Sequence, residues 1–196
     1  MENINNNEPI SVDLAKDADG LSVRPYEYRF QIKDAEKYLR WGLQYLFGEK
    51  YTWLNEYGKI ADWMSDNKGK SLLLIGGCGV GKSVIGCRII PHIIKKVLGK
   101  TFEPISAPKF ARLKELPRKM IWYIDDLGTE RRVRDFGTEV DNFTDLFEDL
   151  ESYGGIAVIT TNLNSTEFRE RYGDRNYDRI RSRFCIVAIN HESMRQ

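Results

Sequence analysis

The densest chemistry in the sequence is the run Gly76-Gly77-Cys78-Gly79-Val80-Gly81-Lys82-Ser83, which meets the spacing G-x-x-x-x-G-K-[ST]. Glycines let a loop curl around phosphate oxygens with successive backbone N–H groups turned inward, in conformations that a Cβ would block. A helix opening at Lys82 would aim its N-terminal amides and the positive end of its dipole at the same anion. Lys82 would reach the β- and γ-phosphates, and the Ser83 hydroxyl would ligate Mg²⁺. Gly76, Gly77, Cys78, Gly79, Val80 and Gly81 would form the cradle, so the motif predicts ATP with Mg²⁺ as the cofactor pair. The alternative is an ordinary glycine-rich turn. The apolar run before the motif and the helical run after it argue for the phosphate loop.

A second constellation follows. Met120-Ile121-Trp122-Tyr123-Ile124 runs straight into Asp125-Asp126. Mg²⁺ held by a phosphate loop takes a further contact from a carboxylate at the tip of a nearby strand, and the attacking water must be oriented. Asp125, first after the apolar run, is the metal candidate. Asp126, one residue on and facing elsewhere, is the candidate for orienting water. Without the phosphate loop upstream, two acids capping a strand would be the better reading.

These groups need a scaffold, and the pattern of the chain describes one. Ala35, Tyr38, Leu39, Leu43 and Leu46 recur at helical spacing, as do Trp53, Leu54, Tyr57, Ile60, Ala61 and Met64 before Asn67-Lys68-Gly69. Two amphipathic helices are expected, with Trp41, Trp53 and Trp63 in the core. Short apolar runs then alternate with helical ones, the signature of a parallel sheet covered on both faces. The expected strands are Ser71 to Ile75, Phe102 to Ser106, Met120 to Ile124, Ile156 to Thr160 and Phe184 to Ile189. The expected helices open at Lys82 and span Thr138 to Glu151, Ser165 to Tyr172 and Asp178 to Arg183. Pro91 should kink the first of these or end it early. The division is a polar leader over 1–27, two N-terminal helices over 28–68 and an α/β core over 69–196.

Composition removes other classes. The chain has 196 residues, 30 Lys+Arg against 29 Asp+Glu, and 41% hydrophobic residues, so it is one globular domain's worth of mixed sequence. A net charge of +1 gives no global attraction to nucleic acid, which would have to be met by a local patch. Three cysteines at wide spacing and two histidines suggest neither a disulfide framework nor a metal cluster. The first residues show no secretory signal and no apolar run is long enough to cross a bilayer, so the cytoplasm is the expected location and no membrane partner is expected.

Four blocks after the phosphate loop stand in a recognisable order: Ile124-Asp125-Asp126-Leu127-Gly128-Thr129-Glu130, Thr160-Thr161-Asn162-Leu163, Asp178-Arg179-Ile180-Arg181-Ser182-Arg183-Phe184 and Glu192-Ser193-Met194-Arg195. In these the chain resembles the DnaC/IstB-like branch of AAA+ ATPases, the bacterial and phage helicase loaders and related transposition helpers. The resemblance covers Trp53 to the C-terminus. It implies an AAA+ P-loop fold with helices on both sides of a parallel sheet, and no C-terminal lid is expected here. By position, Asn162 would be the polar sensor beside the γ-phosphate. Arg179 would be the arginine finger offered to a neighbouring subunit, with Arg175 as the alternative, and Arg195 would be the second sensor arginine at the nucleotide. A homo-oligomer forming on ATP binding is implied, as is a DnaB-type replicative helicase as partner. The alternative partner is a transposase acting on target DNA.

Single-stranded DNA could be met by Arg131, Arg132 and Arg134, whose charges would neutralise phosphates. A solvated loop, or pairing with Glu130, Asp135 and Glu139, explains the same arginines equally well. Lys109, Arg112, Lys114, Arg118 and Lys119 read as ordinary surface. A small-molecule kinase would leave the Asn162 and Arg179 blocks without a purpose, and a non-hydrolysing adaptor is separable by its lack of turnover.

Overall fold

The computed structural model describes residues 28–48, 51–99, 103–117, 119–131, 133–135, 138–140 and 142–191, with the side chains of 132–141 outside that description. Apolar runs bounded by glycine or charge build a five-stranded sheet in the order β2-β3-β6-β1-β7, every pairing parallel. Its strands are β1 (Ser71–Gly76), β2 (Ile105–Ser106), β3 (Ile121–Leu127), β6 (Ile156–Thr161) and β7 (Phe184–Ile189). A hairpin of β4 (Val133–Asp135) and β5 (Thr138–Val140) stands apart from the sheet.

Side chains alternate across a strand, so the continuous apolar run of β1 serves two cores. Leu72 and Leu74 face α1 (Ala35–Phe47), α2 (Asn55–Ser65) and the helical stretch after β1, where Leu39, Leu43, Tyr57, Ile60 and Ile85 are buried with Tyr123 and Val158. Leu73 faces the other side, where α5 (Ala107–Phe110), α6 (Asn142–Tyr153) and α7 (Ser165–Arg183) bury Phe110, Phe143, Leu146 and Phe147 against Trp122, Ile124 and Ile159. Each fully buried side chain of this size removes about 1.5–3 kcal/mol worth of apolar surface from water. The expected parallel sheet with helices on both faces is therefore present, in the form of an α/β P-loop fold.

The N-terminal helices share the first core with the sheet. A buried amide clamps them: Asn67 accepts from Phe30 N (2.9 Å) and donates to the Tyr28 carbonyl (3.0 Å), while Ile32 N bonds the Met64 carbonyl at 3.1 Å. These bonds lay the chain before α1 along the end of α2.

Several expectations about elements change. The helix after the phosphate loop runs as α3 (Lys82–Val84), a π-helical turn Ile85–Ile89 and α4 (Ile90–Leu98), so it continues past Pro91 to a cap at Gly99. Pro91 can give no N–H to the carbonyl four residues back and its ring crowds it; the wider π turn just before takes up that mismatch. Thr138–Val140 belongs to the β4/β5 hairpin, and α6 starts only at Asn142. The two short helices expected after Ser165 are merged as α7 across a kink at Gly173. Trp63 is buried as expected, but Trp41 is 51% exposed and Leu46 is also on the surface. The strand expected from Phe102 is seen as Ile105–Ser106, residues 101 and 102 lying outside the described ones.

Candidate nucleotide site

The phosphate loop joins the end of β1 to α3, where the physics of the motif requires it. Gly79 and Gly81 have φ of 85° and 88°, values that favour glycine and turn the intervening amides to one side. Gly76 permits a close approach, since a Cβ there would come within 2.5 Å of the Ile189 carbonyl oxygen. Lys82 is buried, and its Nζ donates to the Gly77 carbonyl (2.8 Å) and to Oδ1 of Asn162 (2.6 Å). A cleft of about 180 Å³ opens here, lined by the loop, Ser83, Asp126, Asn162 and, from the end of α1, Phe47. Cys78 lies exposed in the loop, with its Sγ 3.6 Å from Asn162 Nδ2. The turned amides, the lysine and the hydroxyl fit a polyphosphate with its cation, the test that a bare glycine turn would fail.

β3 brings the two acids to the same edge of the sheet, one strand removed. Its register with β6 shifts between Ile124 and Leu127, and Asp126 takes φ 58°, a left-handed conformation uncommon outside glycine. That irregularity sends consecutive carboxylates in different directions. Asp126 lines the cleft, while Asp125 accepts a hydrogen bond from the Thr160 hydroxyl at 2.6 Å. The same hydroxyl accepts from the Asp126 backbone N–H at 2.9 Å, so one buried side chain on β6 fixes both acids. Gly86 lets the helix come this close, because a Cβ there would meet Thr160 Cγ2 at 2.8 Å. Cys87, on the same turn, is hydrogen-bonded to Asp125; burial pushes its thiol well up, and the Asp125 charge adds to that. It is a neutral thiol in this setting. Neither Thr160 nor Cys87 was singled out for the site, because nothing in a strand-end threonine or a mid-helix cysteine marks it without the fold.

A second anchor was also missed. Glu130 is buried and accepts from Arg171 Nε (2.9 Å) and Nη2 (2.8 Å), from the Tyr172 hydroxyl and from Gly128 N (2.9 Å). Burial, and then Glu130 itself, push the Tyr172 phenol well up. This network ties the loop after the two acids to α7. Glu130 therefore pairs with a residue 41 positions along the chain.

The remaining candidates lie elsewhere. Arg179 is largely buried and pairs with Glu148 (3.2 Å) and Glu151 (3.4 Å) on α6, while the exposed Arg175 reaches Glu148 at 3.4 Å. Arg179 shares a depression with Ser71, Gly155 and Phe184, at the starts of the strands. The phosphate loop is at their ends, about 20 Å away for a six-residue strand. Arg179 cannot serve the Lys82 of its own chain. Arg131 is exposed and lines an open depression of about 400 Å³ with Arg112, Thr129 and Pro108, so one residue of the cluster read as ordinary surface joins it. The side chains of Arg132 and Arg134, and all of Arg118 and Arg195, lie outside the described residues.

No protein-family model matches this chain, and comparison with curated proteins returns no match. Among solved structures, a candidate primosome component from Streptococcus pyogenes serotype M3 is similar with a TM-score of 0.52 at 14% identity, over 83% of this chain and 84% of that one. The DnaC helicase loader (TM-score 0.44, 16% identity, 82% and 93% covered) and DnaI (0.44, 19%, 81% and 86%) are also similar. The first of these likenesses establishes a shared fold.

Proposed function

We propose that this chain is an ATP-dependent helicase loader of DNA replication, binding and hydrolysing ATP between subunits to place or remodel a DnaB-type helicase on single-stranded DNA. The observation that carries the reading is the convergence on one cleft of Lys82, Asn162 and Asp126, with Asp125 held just behind by Thr160. The motif blocks in family order and the fold shared with a candidate primosome component support the loader role over other uses of a P-loop.

ATP with Mg²⁺, when bound, supplies an electrophilic γ-phosphoryl group and a cation that offsets its charge. The loop amides and Lys82 bind and orient phosphate oxygens, and Ser83 and Asp125 would hold the cation. Asp126 orients a water for in-line attack and accepts its proton. Asn162, already in contact with Lys82, positions its amide at the γ end of the cleft. Arg179 acts on the neighbouring subunit's cleft, where its guanidinium stabilises charge on the transferring oxygens. Positioning and electrostatics carry most of the rate. The depression between Arg112 and Arg131 offers a path for phosphates of a single strand.

The test is co-elution of the purified chain with the replicative helicase of its own genome or host, with and without ATP. The loader reading expects an ATP-dependent complex that Lys82→Ala weakens. No complex under any condition, with a complex formed instead with a neighbouring transposase, would overturn it.

A further inference from the structure

Two exposed helical stripes outside the nucleotide cleft meet on the α1/α4 side of the molecule. Lys37, Trp41 and Tyr45 follow one another at four-residue spacing on α1, and Arg88, His92 and Lys96 do so along the π turn and α4. The stripes touch. The Trp41 ring stacks on Tyr45 (centroids 5.6 Å, 18° between planes) and on His92 (6.3 Å, 28°), and Lys96 Nζ stands 5.6 Å from the Trp41 ring centre. Trp41 is 51% exposed and Tyr45 75%, which is unusual for rings of this size. No acid occurs from Lys82 to Gly99, and Glu36 on α1 is engaged by Arg40 at 2.7 Å.

We infer that this face is a binding platform for single-stranded nucleic acid. The proposal rests on these contacts alone and not on the nucleotide reading. Near-parallel exposed rings offer π-faces on which bases stack whatever their sequence, and the flanking cations match a phosphate backbone. A protein partner is the poorer fit. Interface cores are depleted in lysine, with charge kept to the rim, whereas here Lys96 and His92 sit on the central ring itself.

The experiment is fluorescence anisotropy of a labelled oligodeoxythymidylate titrated with the full chain at several salt concentrations. Trp41→Ala and Tyr45→Ala should each weaken binding by about five- to a hundredfold, the range that base–ring stacking spans, with Trp41→Phe close to wild type. Arg88→Ala and Lys96→Ala should each lower the salt slope by about 0.7. All are surface changes, so melting and ATP binding should stay at wild-type values. Failure of the wild-type chain to bind would overturn the proposal. So would ring variants that bind normally while Arg131→Ala does not, which would assign all binding to the other depression. Ring variants that bind the oligonucleotide normally but lose co-elution with the helicase would give the face to a protein and equally overturn it.

Discussion

Thr160 is buried, yet its hydroxyl serves both acids at once, donating to the Asp125 carboxylate and accepting from the Asp126 amide. A valine is close in shape and can do neither. Thr160→Val should leave two part-buried polar partners short of a bond, costing about 1 kcal/mol of stability, and should lower kcat and raise the Mg²⁺ requirement more than it changes KM for ATP. Thr160→Ser should restore most of the rate, and steady-state kinetics across a Mg²⁺ series would read both. At this scale the sequence was informative where spacing along the chain encodes the chemistry. The phosphate loop, the two acids and Asn162 are legible as candidates in the sequence, and in the fold Lys82, Asp126 and Asn162 line one cleft. It was silent where chemistry is made across the fold. The Thr160 bridge joins β6 to β3, and the Glu130–Arg171 pair joins residues 41 apart that carry no common pattern.

The strands were legible because continuous aliphatic runs between glycines have few other uses; β7 matches its expected bounds and β1 and β6 differ by one residue. The short β4/β5 hairpin was not, since Thr138 to Val140 leads into a genuinely helical run and a three-residue strand has no period of its own. Trp41 was misplaced for a related reason. Helical spacing identifies a face but not how far the covering layer extends, and α4 reaches only its edge. Within α2, the Tyr57 hydroxyl is buried with no hydrogen-bond partner among the described residues, and burial pushes the phenol up to about 12. Tyr57→Phe should therefore be neutral or stabilising by up to about 1 kcal/mol in chemical denaturation. At the end of α2, hydrogen bonds from Arg29 (2.9 and 2.5 Å) hold the Asp66 carboxyl well below the usual carboxylate range. A carboxyl depressed in the folded state stabilises above its unfolded pKa of about 4 and loses that contribution as pH falls through the folded value. The melting difference between wild type and Asp66→Asn should accordingly be full near neutrality and shrink as pH drops from about 5 to about 2.

For the molecule as a whole, the two ends of the sheet carry different sets of polar side chains. The strand ends carry Lys82, Asp126 and Asn162 and the strand starts carry Arg179, so under the proposed trans role of Arg179 a complete site would take two chains in head-to-tail contact. Mixing Lys82→Ala with Arg179→Ala protein should recover hydrolysis that neither shows alone, because each supplies what the other lacks. Continued inactivity of the mixture, with both variants folded by circular dichroism, would remove the shared site. Arg179 is held by Glu148 and Glu151, so Glu148→Gln with Glu151→Gln should release it from both and change turnover without touching nucleotide affinity. All of this presupposes that the cleft beside Lys82 binds ATP, and calorimetric titration of Mg·ATP into wild type and Lys82→Ala tests that most directly. The account predicts one site per chain in the wild type and an affinity lower by about tenfold to a hundredfold in the variant, as expected for losing a charge-assisted hydrogen bond worth about 1.5–3 kcal/mol. No heat of binding in the wild type, or equal affinity in the two proteins, would contradict it.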